Sequence, residues 1–222
     1  TEPPLVCAAL GASRLAIHAA DLTLPERDAR IAATVVDCLQ QLRSQGRVLE
    51  AYGATGNAHD LKALREALGI RQWNLLAVSY GTWMALEAVR TDPDGVRSLL
   101  LDSVMSRDSD LFMSEGPRNF ALGVDRMLAV CAADAACAAA FPDLKDRLRS
   151  TISALDRRPL ELRIGSVADG ESIQVAVNWH DFLSVVHWML YNAGTLRLVP
   201  PLIDATSRGD LRLLTSLMEY VY

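Results

Sequence analysis

Apolar positions recur along the chain in two rhythms, and the change from one to the other predicts an α/β segment followed by a mainly helical one. After Thr23, the residues Ile31, Val35, Leu39 and Leu42 fall on one helical face. Thr23-Leu24-Pro25-Glu26 opens that helix as a capping box with proline in its first turn, and Gly46 stops it. Asn57 reads as the cap of a second helix carrying Leu61, Leu64 and Leu68, stopped by Gly69. Trp73 to Val78 is then a short apolar run of buried-strand character, Thr82 to Arg90 returns to the helical period, and Val96 to Asp102 is strand-like again. Strand, helix and strand in that order predict two parallel strands with helices laid over them.

Beyond Val104 the pattern is largely helical. Helices are expected over Glu115 to Ala132, Asp143 to Leu155, Trp179 to Asn192, Leu196 to Ser207 and Leu211 to Tyr220. Pro200-Pro201 must lie near the start of the fourth of these or kink it. Leu160 to Ile164 and Ser172 to Val177 suggest a short strand pair, and Ala132 to Ala140 is an alanine-rich tract. Residues 103–114, polar and without apolar period, are the expected hinge between a first domain, 1–104, and a second, 105–222. No internal repeat is visible.

Chemistry concentrates at Leu75-Leu76-Ala77-Val78-Ser79-Tyr80-Gly81-Thr82, where the strand runs straight into the helix. A serine hydroxyl is a weak nucleophile and needs to stand clear of the fold, beside a base and beside donors for the developing oxyanion. A sharp strand-to-helix turn achieves this. Such a turn brings the residues two before and two after the serine together, which favours small side chains there, as in Gly-x-Ser-x-Gly. Here the pair is Ala77 and Gly81. On the pattern alone two readings stand: Ser79 as a nucleophile with the Tyr80 N–H as an oxyanion donor, or Ser79 as a plain helix cap.

Four stretches carry a resemblance over most of the chain: Asp60 to Ile70, Trp73-Asn74-Leu75, Val78 to Thr82, and Val96-Arg97-Ser98-Leu99-Leu100-Leu101-Asp102-Ser103-Val104. Downstream, Cys131-Ala132-Ala133-Asp134-Ala135-Ala136-Cys137 and Phe141-Pro142-Asp143-Leu144 continue it. Together they resemble the middle portion of the tripeptidyl-aminopeptidase-like branch of the proline iminopeptidase family, serine peptidases of the α/β-hydrolase superfamily. The resemblance implies an α/β fold: a partial α/β-hydrolase core of parallel strands with flanking helices around the nucleophile turn, over 1–104, plus a mainly helical cap over 105–222. It also implies Ser79 as the acyl-enzyme nucleophile, the Tyr80 amide as half of the oxyanion hole, and a small peptide or ester as substrate. The family's acid and histidine follow the serine on later loops, and its second oxyanion amide precedes the stretch matched by Thr1 to Cys7. Neither is visible in these residues. An esterase or acyltransferase on the same fold, or a non-catalytic hydrolase-like piece, are the rival readings.

The strands are too few for such a sheet. Two parallel strands alone leave open edges and an uncovered face, so further segments of the same polypeptide or a second chain are expected to complete them.

His18 and His59 precede the serine, against the usual order, while His180 and His187 lie in an amphipathic stretch that suits surface or packing roles. Asp102 reads as a turn-forming strand end, Glu115 and Glu219 as solvated carboxylates, and Trp83, Trp179, Trp188 and Tyr191 as packing aromatics or an acyl pocket.

Half of the 222 residues are hydrophobic, 22% are charged, and the formal net charge is −5. Mild acidity without a Lys/Arg cluster speaks against nucleic acid or an anionic membrane surface as partner, and no apolar run reaches membrane-spanning length. Cys7, Cys38, Cys131 and Cys137 allow three pairings. Cys131 with Cys137 could bridge a turn between two helices, and Cys7 with Cys38 could clip the chain's start to the first helix. That pairing suggests an oxidising, secreted or periplasmic setting; four buried thiols in a cytoplasmic protein is the alternative. With no Cys-x-x-Cys, neither metal nor cofactor is expected.

Overall fold

The computed structural model describes residues 4–7, 9–10, 13, 16–17, 20–106, 110, 114–165 and 172–221. The chain divides into two compact units, one of Thr1–Cys7 with Val35–Glu115 and one of Ala8–Thr34 with Gly116–Tyr222. The expected hinge lies partly outside the described residues.

In the first unit, helix α1 (Leu24–Ser44) contributes its second half and α2 (Ala54–Ala67) follows after a short 3-10 turn at Leu49–Tyr52. Strand β1 (Trp73–Val78) then pairs in parallel with β2 (Val96–Asp102), helix α3 (Tyr80–Thr91) connecting them. Their register runs from Asn74 opposite Ser98 to Val78 opposite Asp102. Among the described residues this sheet has two strands. Helix α2 packs on α3, and Arg65 fixes their ends by donating to the Asp92 carboxylate at 2.9 Å and to the Ile70 carbonyl at 2.9 Å.

Two expectations here need correction. Helix α2 begins at Ala54, a turn before Asn57, with Gly53 at its N-cap. Asn57 is inside the helix, donating to the Tyr52 carbonyl at 3.4 Å. The earlier start requires Gly56, where a Cβ would stand 1.9 Å from the Ala51 carbonyl oxygen. The apolar face of α1 is also only partly covered: Cys38 and Leu42 are buried, but Ile31 and Val35 are exposed. At the start of that helix the box is half formed, with the Thr23 N–H and hydroxyl both donating to the Glu26 carboxylate, at 2.9 and 2.7 Å.

The second unit holds α4 (Gly116–Ala133), α5 (Ala135–Ala140), α6 (Leu144–Arg157), the antiparallel pair β3 (Leu160–Gly165) and β4 (Ser172–Val177), then α7 (Trp179–Met189), α8 (Ala193–Leu196), α9 (Val199–Ser207) and α10 (Arg212–Val221). The alanine-rich tract thus holds a helix, started by the Asp134 carboxylate accepting from the Cys137 N–H at 2.8 Å. Helix α7 ends at Met189 rather than Asn192, because Asn192 caps the next short helix by accepting from the Gly194 N–H. The two prolines occupy the first turn of α9, so that helix starts at Val199 rather than Leu196. Phe182, Met189, Leu202, Ile203 and Leu214 are fully enclosed and anchor a continuous core with Val175 and Val177 of β4.

Disulfides join Cys7 to Cys38 and Cys131 to Cys137, with Cα separations of 5.9 and 5.1 Å. No helix among the described residues is long and apolar enough to cross a membrane.

Candidate active site

Strand β1 ends at Val78 and α3 begins at Tyr80, so Ser79 alone makes the corner. Its backbone sits at φ 54° and ψ −126°, a combination that L-residues rarely adopt and that the surroundings must enforce. Ser79 is exposed, and no described side chain hydrogen-bonds its hydroxyl. Tyr80 is the first residue of α3, so its N–H belongs to the first turn, whose amides have no carbonyl partner within the helix and lie at its positive end.

Ala77 and Gly81 meet across the corner as expected. A Cβ added to Gly81 would stand 4.0 Å from that of Ala77, an ordinary contact, so the site tolerates one more methyl than the motif rule implies.

Hydrogen bonds hold the corner from both ends. The Ser79 N–H donates to the Asp102 carbonyl at 3.0 Å, extending the ladder to β2. The Ser79 carbonyl accepts twice from Thr82, from its N–H at 2.9 Å and its hydroxyl at 2.6 Å. Thr82 is fully buried, and its Oγ1 in turn accepts the Met105 N–H at 2.8 Å. Asp102 serves this corner through its backbone; its side chain accepts from the Ser103 hydroxyl at 3.0 Å. Sequence reasoning gave Thr82 no role, since a threonine one turn into a helix looks like any other.

Of the histidines, His18 lies outside the described residues and His59 is exposed on α2. His180 Nδ1 is 2.6 Å from Arg27 Nη1. A guanidinium only donates, so Nδ1 accepts in that bond, while Nε2 lies 3.5 Å from the Leu22 carbonyl oxygen. Both ring nitrogens of His180 thus face partners in its own unit. Arg27 also donates to the buried Asp181 carboxylate at 3.2 Å, and Asp181 forms a capping box with Asn178. His187 lies edge-on to Phe120 and Tyr191, with centroids at 5.3 and 5.2 Å, and burial against them lowers its pKa.

Trp83 stands in the first unit, edge-on to Tyr80 at 5.9 Å. Trp179, Trp188 and Tyr191 belong to the second. Glu115 is exposed. Glu219 is not a purely solvated carboxylate: it accepts from the Gly165 N–H at 2.9 Å and ties α10 to β3. Among the described residues no group of three or more His, Cys, Asp or Glu side chains is placed to hold a metal.

A strand, an exposed serine at positive φ and a helix, followed by a parallel strand, form a strand-to-helix corner of an α/β sheet. Residues 28–161 match the model of the alpha/beta hydrolase fold family, and the chain belongs to that family. It is also similar to tripeptidyl aminopeptidases of Streptomyces lividans and Streptomyces coelicolor, each 37% identical over 65 residues. Those residues are 29% of this chain and 12% of either relative, so the matched stretch spans a small part of the curated proteins.

Proposed function

We propose that this chain carries the nucleophile of a serine hydrolase working through an acyl-enzyme. Ser79 attacks an amide or ester carbonyl, and the Tyr80 N–H donates to the oxyanion that forms. The observation that carries this reading is the corner itself: a serine held at φ 54° with its hydroxyl exposed at a helix N-terminus. A serine acting only as a helix cap would accept from the second or third amide of the helix, and Ser79 makes no such side-chain bond.

The substrate proposed is a short peptide cleaved near its free amino end, supported by the partial likeness to tripeptidyl aminopeptidases. Residues 105–222 are proposed as a mainly helical cap and 1–104 as a partial hydrolase core; the compact units divide differently, with Ala8–Thr34 grouped with Gly116–Tyr222. The proton acceptor is a histidine from another segment of the polypeptide or from a second chain. An apolar groove of about 440 Å³, walled by Leu75 and Leu76 of β1 and Leu61 and Leu64 of α2, supports a further segment completing the sheet. The two disulfides support an oxidising compartment, secreted or periplasmic.

Treating the full polypeptide with a fluorophosphonate and mapping the adduct by peptide mass spectrometry tests the reading. Modification on Ser79, abolished in Ser79→Ala, is expected; an unmodified Ser79 under conditions that label a control serine hydrolase overturns it. Comparing peptide amides with p-nitrophenyl esters separates a peptidase from an esterase or acyltransferase.

A further inference from the structure

We infer that Thr82 is a positioning residue for Ser79, locking the nucleophile corner to the chain that leaves β2. The inference rests on the reading of Ser79 as nucleophile. Threonines early in a helix often bond back to a carbonyl of their own turn. Thr82 does that at 2.6 Å, to the Ser79 carbonyl. What sets it apart is the other half of its hydroxyl, which accepts the Met105 N–H at 2.8 Å from a segment 23 residues further along. The side chain is fully buried and its hydroxyl is used both as donor and as acceptor.

The consequence is local and mechanical. The Ser79 N–H is held directly by the Asp102 carbonyl, at 3.0 Å. The Ser79 carbonyl is held through Thr82 to Met105, three residues beyond Asp102. Both peptide planes flanking the strained residue are therefore referenced to one short segment, 102–105, at the carboxyl end of β2. That end of a parallel sheet is where ligands bind in open α/β folds. Without the Thr82 hydroxyl, the Met105 N–H loses its acceptor and the Ser79 carbonyl keeps one donor instead of two. The corner can then swing its Cα–Cβ bond away from the direction of attack, and displacements near 1 Å cost about a hundredfold in rate.

The test uses the full polypeptide with a fluorophosphonate as probe, comparing wild type, Thr82→Val, which keeps the shape, and Thr82→Ser, which keeps the hydroxyl. Expected is a first-order inactivation constant about tenfold or more lower in Thr82→Val, with reagent affinity unchanged because the hydroxyl touches no ligand, and recovery to within about threefold in Thr82→Ser. A role in stability alone would lower the melting temperature of Thr82→Val and leave the labelling constant of the folded protein in place, which overturns the inference. So does a Thr82→Ser variant as slow as Thr82→Val. If wild type labels normally, only the positioning inference is at stake; if wild-type Ser79 does not label, the nucleophile reading falls first and this one with it. Should Thr82→Val fail to fold, amide exchange in wild type decides: Met105 is expected to exchange more slowly than Val104, and equal rates overturn the bond on which the inference stands.

Discussion

The backbone of Ser79 offers a stability test that is independent of catalysis. At φ 54° and ψ −126° the residue occupies the conformation of the first central position of a type II′ turn, where glycine is at home and a Cβ is not. Holding a non-glycine residue in such a region costs about 1–3 kcal/mol. Replacing it by glycine removes that cost but gives the unfolded chain more freedom, worth about 0.4–1 kcal/mol in the opposite direction. Taking the middle of both ranges, the net gain expected for Ser79→Gly over Ser79→Ala is about 1.3 kcal/mol. Alanine is the right reference because it keeps the Cβ while removing the hydroxyl, which makes no described hydrogen bond. At roughly 2–4 °C per kcal/mol for a chain of this size, the midpoint of Ser79→Gly should lie about 3–5 °C above that of Ser79→Ala. Thermal unfolding followed by circular dichroism reads this directly, and both variants should be blank toward a fluorophosphonate. A Ser79→Gly protein no more stable than Ser79→Ala would mean that the corner is not strained, and the argument for an enforced nucleophile turn would go with it.

Four further outcomes are expected. Gly56→Ala should lose about 1–3 kcal/mol in denaturant titration, because its Cβ would meet the Ala51 carbonyl oxygen at 1.9 Å, and that oxygen is backbone with no rotamer to escape into. Opening Cys7–Cys38, which closes a span of 31 residues, should lower stability by about 4 kcal/mol, and opening Cys131–Cys137, which spans 6, by about 2 kcal/mol, as read from the matched Cys→Ser pairs. Phe182→Ala should cost about 3–5 kcal/mol in the unfolding of the second unit, since the ring is fully enclosed. Burial lowers the pKa of His187, so on acidification through about pH 6.5 the unfolded chain takes up the proton before the folded one does. The contribution to stability is present above that pH and lost below it; the drop is small because the residue's outer edge is exposed, and His187→Gln should flatten this part of the melting profile.

Much of the corner was legible because its signal is a change of period. An apolar run to Val78, one serine, and helical spacing from Thr82 force a turn at Ser79, and the backbone bends there. The β3–β4 pair was legible for the same reason, and its register places Leu162 opposite Val175 and Ile164 opposite Ile173. Periodicity shows which face of a helix is apolar, not whether anything covers it, and so it overstated the burial of Ile31 and Val35 on α1. Caps were harder still. Asn57 is a good cap by residue type, yet Gly53 begins the helix because Gly56 lets the chain close on Ala51. The Thr82–Met105 bond was beyond reach, since nothing in the spacing of two residues so far apart distinguishes a bonded pair from an unrelated one.

The two units differ in what they can sustain by themselves, and the difference bears on Ser79. The second unit encloses large side chains from five helices and both strands of its sheet, the condition for an independent core. In the first unit the described buried hydrophobics from Cys38 onward are Cys38, Leu42, Ala58, Ala77, Ala85 and Ala88, mostly alanines that return little free energy each. Leu76, Val78 and Leu100 are meanwhile 70, 53 and 65% exposed on parallel strands, a sheet type that occurs covered on both faces. A strained residue persists only where its surroundings over-determine it. At Ser79 the described restraints from beyond its own helix come from Asp102 and, through the Thr82 hydroxyl, from Met105. On the proposed reading, a strand joining the edge of β1 that has no partner among the described residues supplies a further restraint. The segment that completes the sheet would then also stiffen the corner on which the nucleophile stands, so that fold completion and catalytic competence are gained in one step.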